Sequence, residues 1–265
     1  MTRPALALTV PCYDEAARLD ERAFLDFVSS RPSISLLFVD DGSSDGTLAV
    51  LERLRGKAPG AVTVIRLESN QGKGEAVRRG ILEGIGQGAE LVGFWDADLA
   101  TPLCAVDDFL ALAAKKPWVE LILGSRVNLM GRDVHRKALR HYVGRIFATA
   151  VSIELRLPIY DTQCGAKVFR VNDAVAEVFA TPFRSRWIFD VEVLSRYLAM
   201  PVAPGSRPRR QRIYELAVPA WRDVPGSKLR WRHSAGMVAD LAAIWIGRRR
   251  ASPQRGSLNS ATRGR

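Results

Sequence analysis

Residues 91–102, LVGFWDADLATP, run from an apolar segment through two aspartates to a proline in the first turn of a helix. The apolar segment predicts a buried β-strand over 91–96, and Thr101 and Pro102 predict a helix over 102–115. Through residue 124 the chain alternates short β-branched runs with amphipathic stretches. This alternation is typical of a mostly parallel sheet covered by helices, so the sequence predicts an α/β fold.

The same periodicities predict the remaining elements. Strands are expected at 5–11, 34–40, 62–67, 119–124, 165–170 and 210–220, and helices at 14–29, 46–55, 72–86, 138–157, 187–199 and 233–247. Residues 125–137 are polar and contain glycine, which predicts a loop. Residues 251–265 are rich in Ser, Arg and Gly, which predicts a disordered basic tail.

Composition and cysteine content indicate the class of protein and the compartment in which we expect it. With 265 residues, 47% of them hydrophobic, the chain has the composition of a globular protein. Its three cysteines are scattered, which favours a reducing compartment over a disulfide framework. No window reaches the roughly 18 apolar residues of a membrane span, and no signal peptide is recognisable. We therefore expect a cytoplasmic protein that is soluble or peripheral on the inner face of the membrane.

The excess positive charge lies at the C-terminus. The net charge is +11, and residues 201–265 hold 14 Lys and Arg against 3 Asp and Glu. A basic block of this kind can bind nucleic acid, anionic lipid headgroups or nothing specific. A non-enzymatic nucleic-acid-binding protein is the alternative that this charge leaves open, although it leaves the acidic residues of the first half unexplained.

Acidic residues follow three of the predicted strands, in the segments PCYDE (11–15), DDGS (40–43) and DAD (96–98). Ligands of open α/β sheets bind where the strands end, and clustered carboxylates need a counter-charge. Asp96 and Asp98 are two apart on an extended segment, so both can bind one Mg²⁺ or Mn²⁺ together with phosphate oxygens. Taken alone, the second segment could equally be a turn with a helix cap.

These segments, with several further motifs, resemble glycosyltransferase family 2, and more narrowly the dolichyl-phosphate β-glucosyltransferases and related polyprenyl-phosphate glycosyltransferases. The motifs are VPCYDEAARL (10–19), FVDDGSSDGT (38–47), NQGKGEAVRRGI (70–81), WDADLATP (95–102), GSR (124–126), DTQCGAKVFR (161–170), RWIFDVEVL (186–194) and GSKL (226–229). The resemblance implies a single GT-A domain over 1–250 with a mixed, mostly parallel sheet. Residues 1–124 would form a Rossmann-like half that binds a nucleotide sugar, and 125–250 the acceptor half.

The resemblance also implies roles for individual residues of the donor site. The nucleotide and diphosphate would contact Pro11, Tyr13, Glu15, Asp41, Lys73, Asp96 and Gln163, with Asp41 near the base, Lys73 near the base and diphosphate, and Gln163 near the sugar or metal. Asp96 and Asp98 would bind the Mg²⁺ or Mn²⁺ that bridges the donor phosphates.

In the acceptor half, the resemblance places basic residues against an acceptor phosphate, namely Arg126, Arg136 and Arg140. Asp190 matches the acidic position of this half. If the acceptor is a hydroxyl, Asp190 is the candidate general base. If the acceptor is a lipid phosphate, a base is dispensable and Asp190 positions other groups. A third role for Asp190 is structural, as a buried carboxylate paired with Arg186 or Lys167.

The expected activity is inverting transfer of glucose from UDP-glucose to a polyprenyl phosphate, with transfer to a hydroxyl in cell-envelope or exopolysaccharide synthesis as the alternative. Helices 138–157 and 233–247, with the basic C-terminus, could hold such an enzyme on an anionic membrane surface. The two helices could instead pack on the sheet, as most amphipathic helices do.

Overall fold

The computed structural model describes residues 3–135, 138–186 and 188–224, with the backbone alone at 135 and 138–143. The strands are β1 (Leu6–Cys12), β2 (Ile34–Asp40), β3 (Val62–Arg66), β4 (Leu91–Trp95), β5 (Leu121–Ser125), β6 (Asp133–His135), β7 (Ala166–Arg170), β8 (Ile213–Ala217) and β9 (Ala220–Arg222). The α-helices are α1 (Glu21–Ser29), α2 (Thr47–Lys57), α3 (Lys73–Gly86), α4 (Val106–Lys115), α5 (Ala138–Leu155), α6 (Asp173–Ala180) and α7 (Phe189–Ala199).

Seven strands form one sheet in the order β3-β2-β1-β4-β7-β5-β8, and β6 pairs with β9 in a small second sheet. Within the large sheet only β7 runs antiparallel to its two neighbours, β4 and β5. The mixed, mostly parallel sheet expected from the sequence is confirmed. All the parallel strands end at the same edge, hereafter the C-terminal edge, and β7 begins there.

The central strands are buried because both faces of the sheet are covered. Every residue of β4 is buried, as are nearly all of β1 and β2, which explains their unbroken apolar sequences. One face packs on α1, α2 and α4, and the other on α3, α6 and α7. Gly80 and Gly84 of α3 lie against Thr9 and Ala7, so this helix crosses β1 at a distance that side chains would prevent.

Two predicted elements differ from the structure at their boundaries. The first helix begins at Glu21 rather than at residue 14, with Asp20 as its N-cap accepting the amide of Ala23 at 3.0 Å. The residues before Asp20 form turns that are hydrogen-bonded to the loop after β2. The strand expected over 210–220 is divided into β8 and β9, since the chain passes from the large sheet to the small one between them.

Two elements were not predicted from the sequence. The helix α6 is capped by the side chain of Asn172, which accepts the amide of Val175 at 2.9 Å. The expected loop over 125–137 contains β6, whose three residues pair with β9 far along the chain. The other predicted strands and helices up to residue 199 are confirmed to within a few residues. The helix expected at 233–247 and the tail at 251–265 lie outside the described residues.

Helix α5 is amphipathic as expected. Ala148, Val151 and Leu155 are buried, whereas Ile146 and Ile153 are 74% and 72% exposed. The helix therefore packs on the protein by one face and presents large apolar side chains on another. No helix in the described part of the chain is long and apolar enough to cross a membrane.

Candidate active site

The turns that follow β1 and β2 bind each other at the C-terminal edge. Oδ1 of Asp14 accepts the amide of Ser44 at 2.8 Å, and the amide of Glu15 donates to Oγ1 of Thr47 at 2.7 Å. Asp14 has φ of 47°, a left-handed conformation that aspartate tolerates better than most residues. This mutual capping explains why α1 starts late, because residues 14–16 are held in the turn.

Asp41 organises the loop that leads into α3. Its carboxylate is buried and accepts the amides of Gln71 at 2.7 Å and Gly72 at 2.8 Å. Burial raises the pKa of Asp41, and the two amide hydrogen bonds oppose that rise. The resemblance suggested a contact between Asp41 and the base. In the structure the carboxylate fixes the segment that carries Lys73, and its contact with the base stays a prediction.

Arg186 fastens the same loop from the second half of the chain. Its Nη2 donates to the carbonyl oxygen of Asn70 at 2.8 Å and to Oδ1 of that residue at 2.5 Å. Gly72, with φ of 99°, lies directly against the Arg186 side chain. Arg186 is therefore occupied by Asn70 and is not the partner of Asp190.

A tight turn after β4 presents Asp96 and Asp98. The indole of Trp95 donates to the carbonyl of Thr101 at 2.7 Å, and Leu99 adopts φ of 51°. A leucine in the left-handed region is strained, and such strain is concentrated at functional sites. Burial raises the pKa of Asp98, and the neighbouring charge of Asp96 raises it further. The turn thus holds two carboxylates that repel each other.

Lys73, the first residue of α3, meets one of these carboxylates. Its ammonium group forms an ion pair with Oδ1 of Asp96. Burial on its own lowers the pKa of Lys73, but the charges of Asp96 and Asp190 raise it overall. Lys73 is therefore a cation at neutral pH. The loop at 71–73 consequently connects Asp41 to Asp96, which brings the ends of β2 and β4 into one site.

Asp190 lies in the first turn of α7 and is paired with Lys167 of β7. The two side chains are almost fully buried, and Nζ of Lys167 is 2.6 Å from Oδ1 of Asp190 and 2.5 Å from the carbonyl oxygen of Cys164. Burial raises the pKa of Asp190 overall, and the positive charges of Lys167 and Lys73 offset part of that rise. In the structure Asp190 therefore forms a buried ion pair with Lys167, which is the structural role considered for it.

Together these five side chains form what we call the Asp96 cluster: Asp96, Asp98, Asp190, Lys73 and Lys167. The ring of Phe94 packs beneath it, with the two ammonium groups 5.8 Å and 5.1 Å from the ring centroid. Ammonium groups are favoured over an aromatic face. The cluster thus holds three carboxyl groups against two ammonium groups.

The segment before β7 borders the cluster and is held by Arg126. The guanidinium donates to both carboxylate oxygens of Asp161, at 2.6 and 2.8 Å. Burial on its own lowers the pKa of Arg126, but Asp161 raises it overall. Oδ1 of Asp161 also accepts the amide of Gln163 at 3.0 Å. Arg126 thus forms a bidentate pair with Asp161, which positions Gln163, and its contact with an acceptor phosphate stays a prediction.

Gln163 and Cys164 differ in what they offer a ligand. Nε2 of Gln163 is buried and has no hydrogen-bond partner among the described residues, so this donor is available to one. Burial raises the pKa of the Cys164 thiol to about 11. The thiol stays protonated at neutral pH and is a poor nucleophile, which argues against a covalent cysteine intermediate.

Three of the remaining predicted residues lie at the end of β1 and in the turn that follows it. Pro11 and Tyr13 are partly exposed, and Glu15 is buried with Arg18 2.6 Å from its Oε1. Arg18 was not predicted from the sequence as a site residue, and its charge lowers the pKa of Asp98 in opposition to burial. Its spacing of three residues after Glu15 was the available signal. Arg136 lies outside the described residues, and the side chain of Arg140 is not described.

The carboxylates suit a divalent cation that also binds phosphate. No three His, Cys, Asp or Glu side chains are grouped as metal ligands in the described ranges. The site thus offers a cation a pair of carboxylates, Asp96 and Asp98, rather than a closed cage. Mg²⁺ in particular is commonly bound by one or two carboxylates plus substrate phosphates. The mutual repulsion of these carboxylates fits such a cation.

A family model described as glycosyl transferase family 2 matches residues 8–174, which is most of the chain. The chain belongs to glycosyl transferase family 2. This family 2 protein is therefore a glycosyltransferase, and its acidic C-terminal edge is the candidate active site. The matched range includes the turns after β1, β2 and β4, and it includes β7 with Lys167.

Curated relatives extend the similarity beyond that range. A dolichyl-phosphate beta-glucosyltransferase of Dictyostelium discoideum is 32% identical over 259 residues, covering 90% of this chain and 73% of the relative. The Homo sapiens protein of the same description is 32% identical, covering 84% of this chain and 69% of the relative. A dodecaprenyl-phosphate galacturonate synthase of Rhizobium johnstonii is 27% identical over 63% of this chain and 48% of its own length.

Solved structures show the same fold. Glucosyl-3-phosphoglycerate synthase from Mycobacterium tuberculosis, in complex with Mn²⁺, UDP and glucosyl-3-phosphoglycerate, superposes with a TM-score of 0.62. The alignment covers 92% of this chain and 80% of that chain at 18% identity. At this identity the likeness establishes a common GT-A architecture, and substrates have to be argued from the site and the closer relatives.

Proposed function

We propose that this family 2 enzyme transfers glucose from UDP-glucose to a polyprenyl phosphate, with inversion at the anomeric carbon and with the help of Mg²⁺ or Mn²⁺. The observation that carries the proposal is the similarity to dolichyl-phosphate β-glucosyltransferases along 90% of the chain. The Asp96 cluster supports it, because the cluster combines paired carboxylates with a cationic lysine. A cation and a diphosphate need these groups together.

The donor would lie across the C-terminal edge. Pro11, Tyr13 and Glu15, at the end of β1, would line the nucleotide pocket, and the diphosphate would extend toward Lys73. Asp41 would act indirectly, by holding the loop at 70–72. The unpartnered amide of Gln163 is a suitable donor for a sugar hydroxyl or a phosphate oxygen.

Asp96 and Asp98 would hold the divalent cation, which when bound supplies positive charge for the departing diphosphate. The chain's own contribution is to fix these two carboxylates in the strained turn at Leu99. Arg18, which is paired with Glu15, acts electrostatically on Asp98 of this turn. Arg18 offers a further positive charge near Asp98, and we propose that it helps to bind the donor phosphates.

The reaction would be a single displacement. An oxygen of the acceptor phosphate forms a bond to the anomeric carbon while the bond from that carbon to the UDP oxygen breaks, so the α-linked donor gives a β-linked product. Negative charge moves onto the departing UDP, where Lys73 stabilises it. A phosphate monoester has a second pKa of about 6 and is already an anion at neutral pH, so no general base is required.

Asp190 would then be a positioning residue. Its pairing with Lys167, together with its effect on Lys73, fixes the two ammonium groups around Phe94. Arg126 would also act indirectly through Asp161, by holding the segment that carries Gln163. We propose Arg136, and Arg140 with it, as the residues that contact the acceptor phosphate.

The acceptor half also supports contact with a lipid surface. Ile146 and Ile153 on α5 and Leu129 and Met130 after β5 are large apolar side chains that are at least half exposed. Apolar side chains of this kind are stabilised when they enter the headgroup region of a bilayer. We propose that the enzyme meets its acceptor at a membrane surface, which co-sedimentation with liposomes that contain polyprenyl phosphate would test.

The decisive experiment is a transfer assay. Purified protein, Mn²⁺ and UDP-glucose labelled in the sugar are incubated with a polyprenyl phosphate, the matching polyprenol without phosphate, or 3-phosphoglycerate. We expect label in the organic phase with the polyprenyl phosphate alone, released as glucose by mild acid. EDTA should abolish the transfer. GDP-mannose and UDP-galactose in place of UDP-glucose measure donor selectivity.

Each alternative has its own outcome in this assay. Transfer to the polyprenol would identify a hydroxyl acceptor and would make a base necessary. Transfer to 3-phosphoglycerate with none to lipid would replace the acceptor class. No transfer from any uridine or guanosine sugar to any of the acceptors would contradict the proposed function.

A further inference from the structure

The carboxylate of Asp96 is enclosed on two sides. Its Oδ1 is held by the ammonium group of Lys73. Its Oδ2 lies against Gly165 so closely that a β-carbon on that residue would overlap the carboxylate. The amide of Asp96 is also fixed, donating to the carbonyl of Gly165 at 3.0 Å. A cation that binds Oδ1 of Asp96 therefore has to displace Lys73 or share that oxygen with it.

A divalent cation and the ammonium group compete for the same oxygen. Both are held by electrostatic attraction to the carboxylate, and two positive charges within a few Å repel each other strongly in a partly buried site. Lys73 thus acts against cation binding while it contacts Asp96. The same lysine favours binding of the donor, because the negative charge of a diphosphate attracts the ammonium group away from Asp96.

The exposure of the Lys73 side chain provides room for that movement. Lys73 is the first residue of α3, and a third of its side chain is exposed. Asp190 already acts on its charge, and the lysine side chain has four rotatable bonds. Lys73 can therefore turn from Asp96 toward a phosphate without any change in the backbone.

We propose that Lys73 is an internal counter-ion that occupies Asp96 until the donor diphosphate arrives, so that the divalent cation binds well only together with the nucleotide. This inference rests on the proposed function, since it takes Asp96 and Asp98 as the cation site. It adds an order of events: the diphosphate attracts Lys73, and Asp96 is released to the cation in the same exchange.

The test measures Mn²⁺ binding to the full chain by electron paramagnetic resonance of the free ion, with and without UDP. For the unaltered protein we expect weak binding of Mn²⁺ alone and much tighter binding with UDP. For Lys73→Met, which keeps an unbranched side chain one atom shorter and removes the charge, we expect Mn²⁺ alone to bind about tenfold tighter than in the unaltered protein. The gain from UDP should shrink accordingly.

Three further variants make the result specific. Lys116→Met removes a surface lysine that lies over Trp118 and should leave Mn²⁺ binding unchanged. Lys73→Arg keeps the charge and should retain weak binding without UDP. Adding Asp98→Ala to Lys73→Met should abolish the tighter binding. Circular dichroism and thermal unfolding establish that each variant is folded.

Two results would count against the inference, and they are distinguishable. If UDP promotes Mn²⁺ binding to the unaltered protein but Lys73→Met binds Mn²⁺ alone no more tightly, Lys73 is not a counter-ion and the proposed function stands. If the unaltered protein and Lys73→Met both fail to bind Mn²⁺ even with UDP, the cation site itself is wrong, and the proposed function fails with the inference.

Discussion

Two charged clusters lie at opposite edges of the same sheet, and they are built in opposite ways. Before β5, Glu120 accepts the hydroxyl of Tyr197 at 2.6 Å and guanidinium groups of Arg209 and Arg212 at 2.9 and 2.6 Å. Burial on its own raises the pKa of Glu120, but hydrogen bonds from Tyr197 and Arg212 lower it overall. This Glu120 cluster stabilises its carboxylate fully with groups of the chain.

At the C-terminal edge, by contrast, burial raises the pKa values of Asp98 and Asp190, and neighbouring cations do not offset it. Keeping these two carboxylates ionised in the Asp96 cluster therefore lowers the free energy of unfolding. A cluster that the chain itself satisfies is structural, whereas one left with excess charge is arranged for a ligand. Four substitutions test this distinction, in order of decreasing expected effect.

Lys167→Met should have the largest effect, on stability. It leaves Asp190 buried without its partner, and removing one member of a buried ion pair costs about 3–5 kcal/mol. Urea unfolding at pH 7 measures the loss. The double variant Lys167→Met with Asp190→Leu should recover most of it, because an apolar pair replaces the lone charge. A single variant as stable as the unaltered protein would mean that the pair is not buried as described.

Asp98→Ala should affect activity and leave stability nearly unchanged. Loss of one electrostatic contact to the reacting groups lowers kcat/KM by about 10²–10³, or about 3–4 kcal/mol. The raised pKa of Asp98 means that folding disfavours its ionised form. Removing this carboxylate should therefore not lower the free energy of unfolding. The control is Asp107→Ala on α4, whose carboxylate pairs with Arg31 at the surface. A large loss of stability with Asp98→Ala would mean that Asp98 is structural, like the buried pair of Lys167 and Asp190.

Glu120→Gln should do the reverse, lowering stability by about 2 kcal/mol at pH 7 with no change in kcat. The folded pKa of Glu120 lies below its ordinary value of 4.5, so its stabilisation is complete above pH 4.5. It is lost as the pH falls through the folded pKa. The difference between variant and unaltered protein should therefore shrink below pH 4.5 in urea unfolding. A difference that grows in acid would contradict the lowered pKa.

Gly165→Ala should have the smallest effect, about tenfold in kcat/KM, or about 1.4 kcal/mol. The added methyl group overlaps the Asp96 carboxylate, which must shift, while the backbone at Gly165 needs no glycine-specific conformation. Gly86→Ala near the end of α3 is the matched control, since a β-carbon at that position would have no atom within 4 Å. That variant should be fully active and about 0.5–1 kcal/mol more stable. Equal activity of both variants would show that Asp96 is not sensitive to position.

Much of this arrangement was predictable from the sequence. Parallel strands end at one edge, so acidic residues after β1, β2 and β4 were expected to converge there, and the turns at Asp14 and Asp96 do so. Lys167 could also be recognised as unusual, because a lysine in the buried segment AKVF requires a charged partner.

Other features depend on distances that spacing does not encode. That Lys73 contacts Asp96, and that Asp41 accepts the amides of Gln71 and Gly72, follows from how α3 packs on β1. The pairing of β6 with β9 joins residues almost ninety positions apart, and three residues give too short a periodic signal. These features depend on contacts between residues that are distant in the sequence, and local sequence patterns do not reveal such contacts.

The reversed direction of β7 has a consequence for how the enzyme is made. Because β7 is hydrogen-bonded between β4 and β5, the sheet cannot close until residue 170 has been synthesised. Until then β4 and β5 lie apart with unpaired edges, which are prone to non-native association. Gly165, Lys167 and Gln163 arrive with the same strand. The strand that covers the facing edges of β4 and β5 thus also brings these three site residues into place.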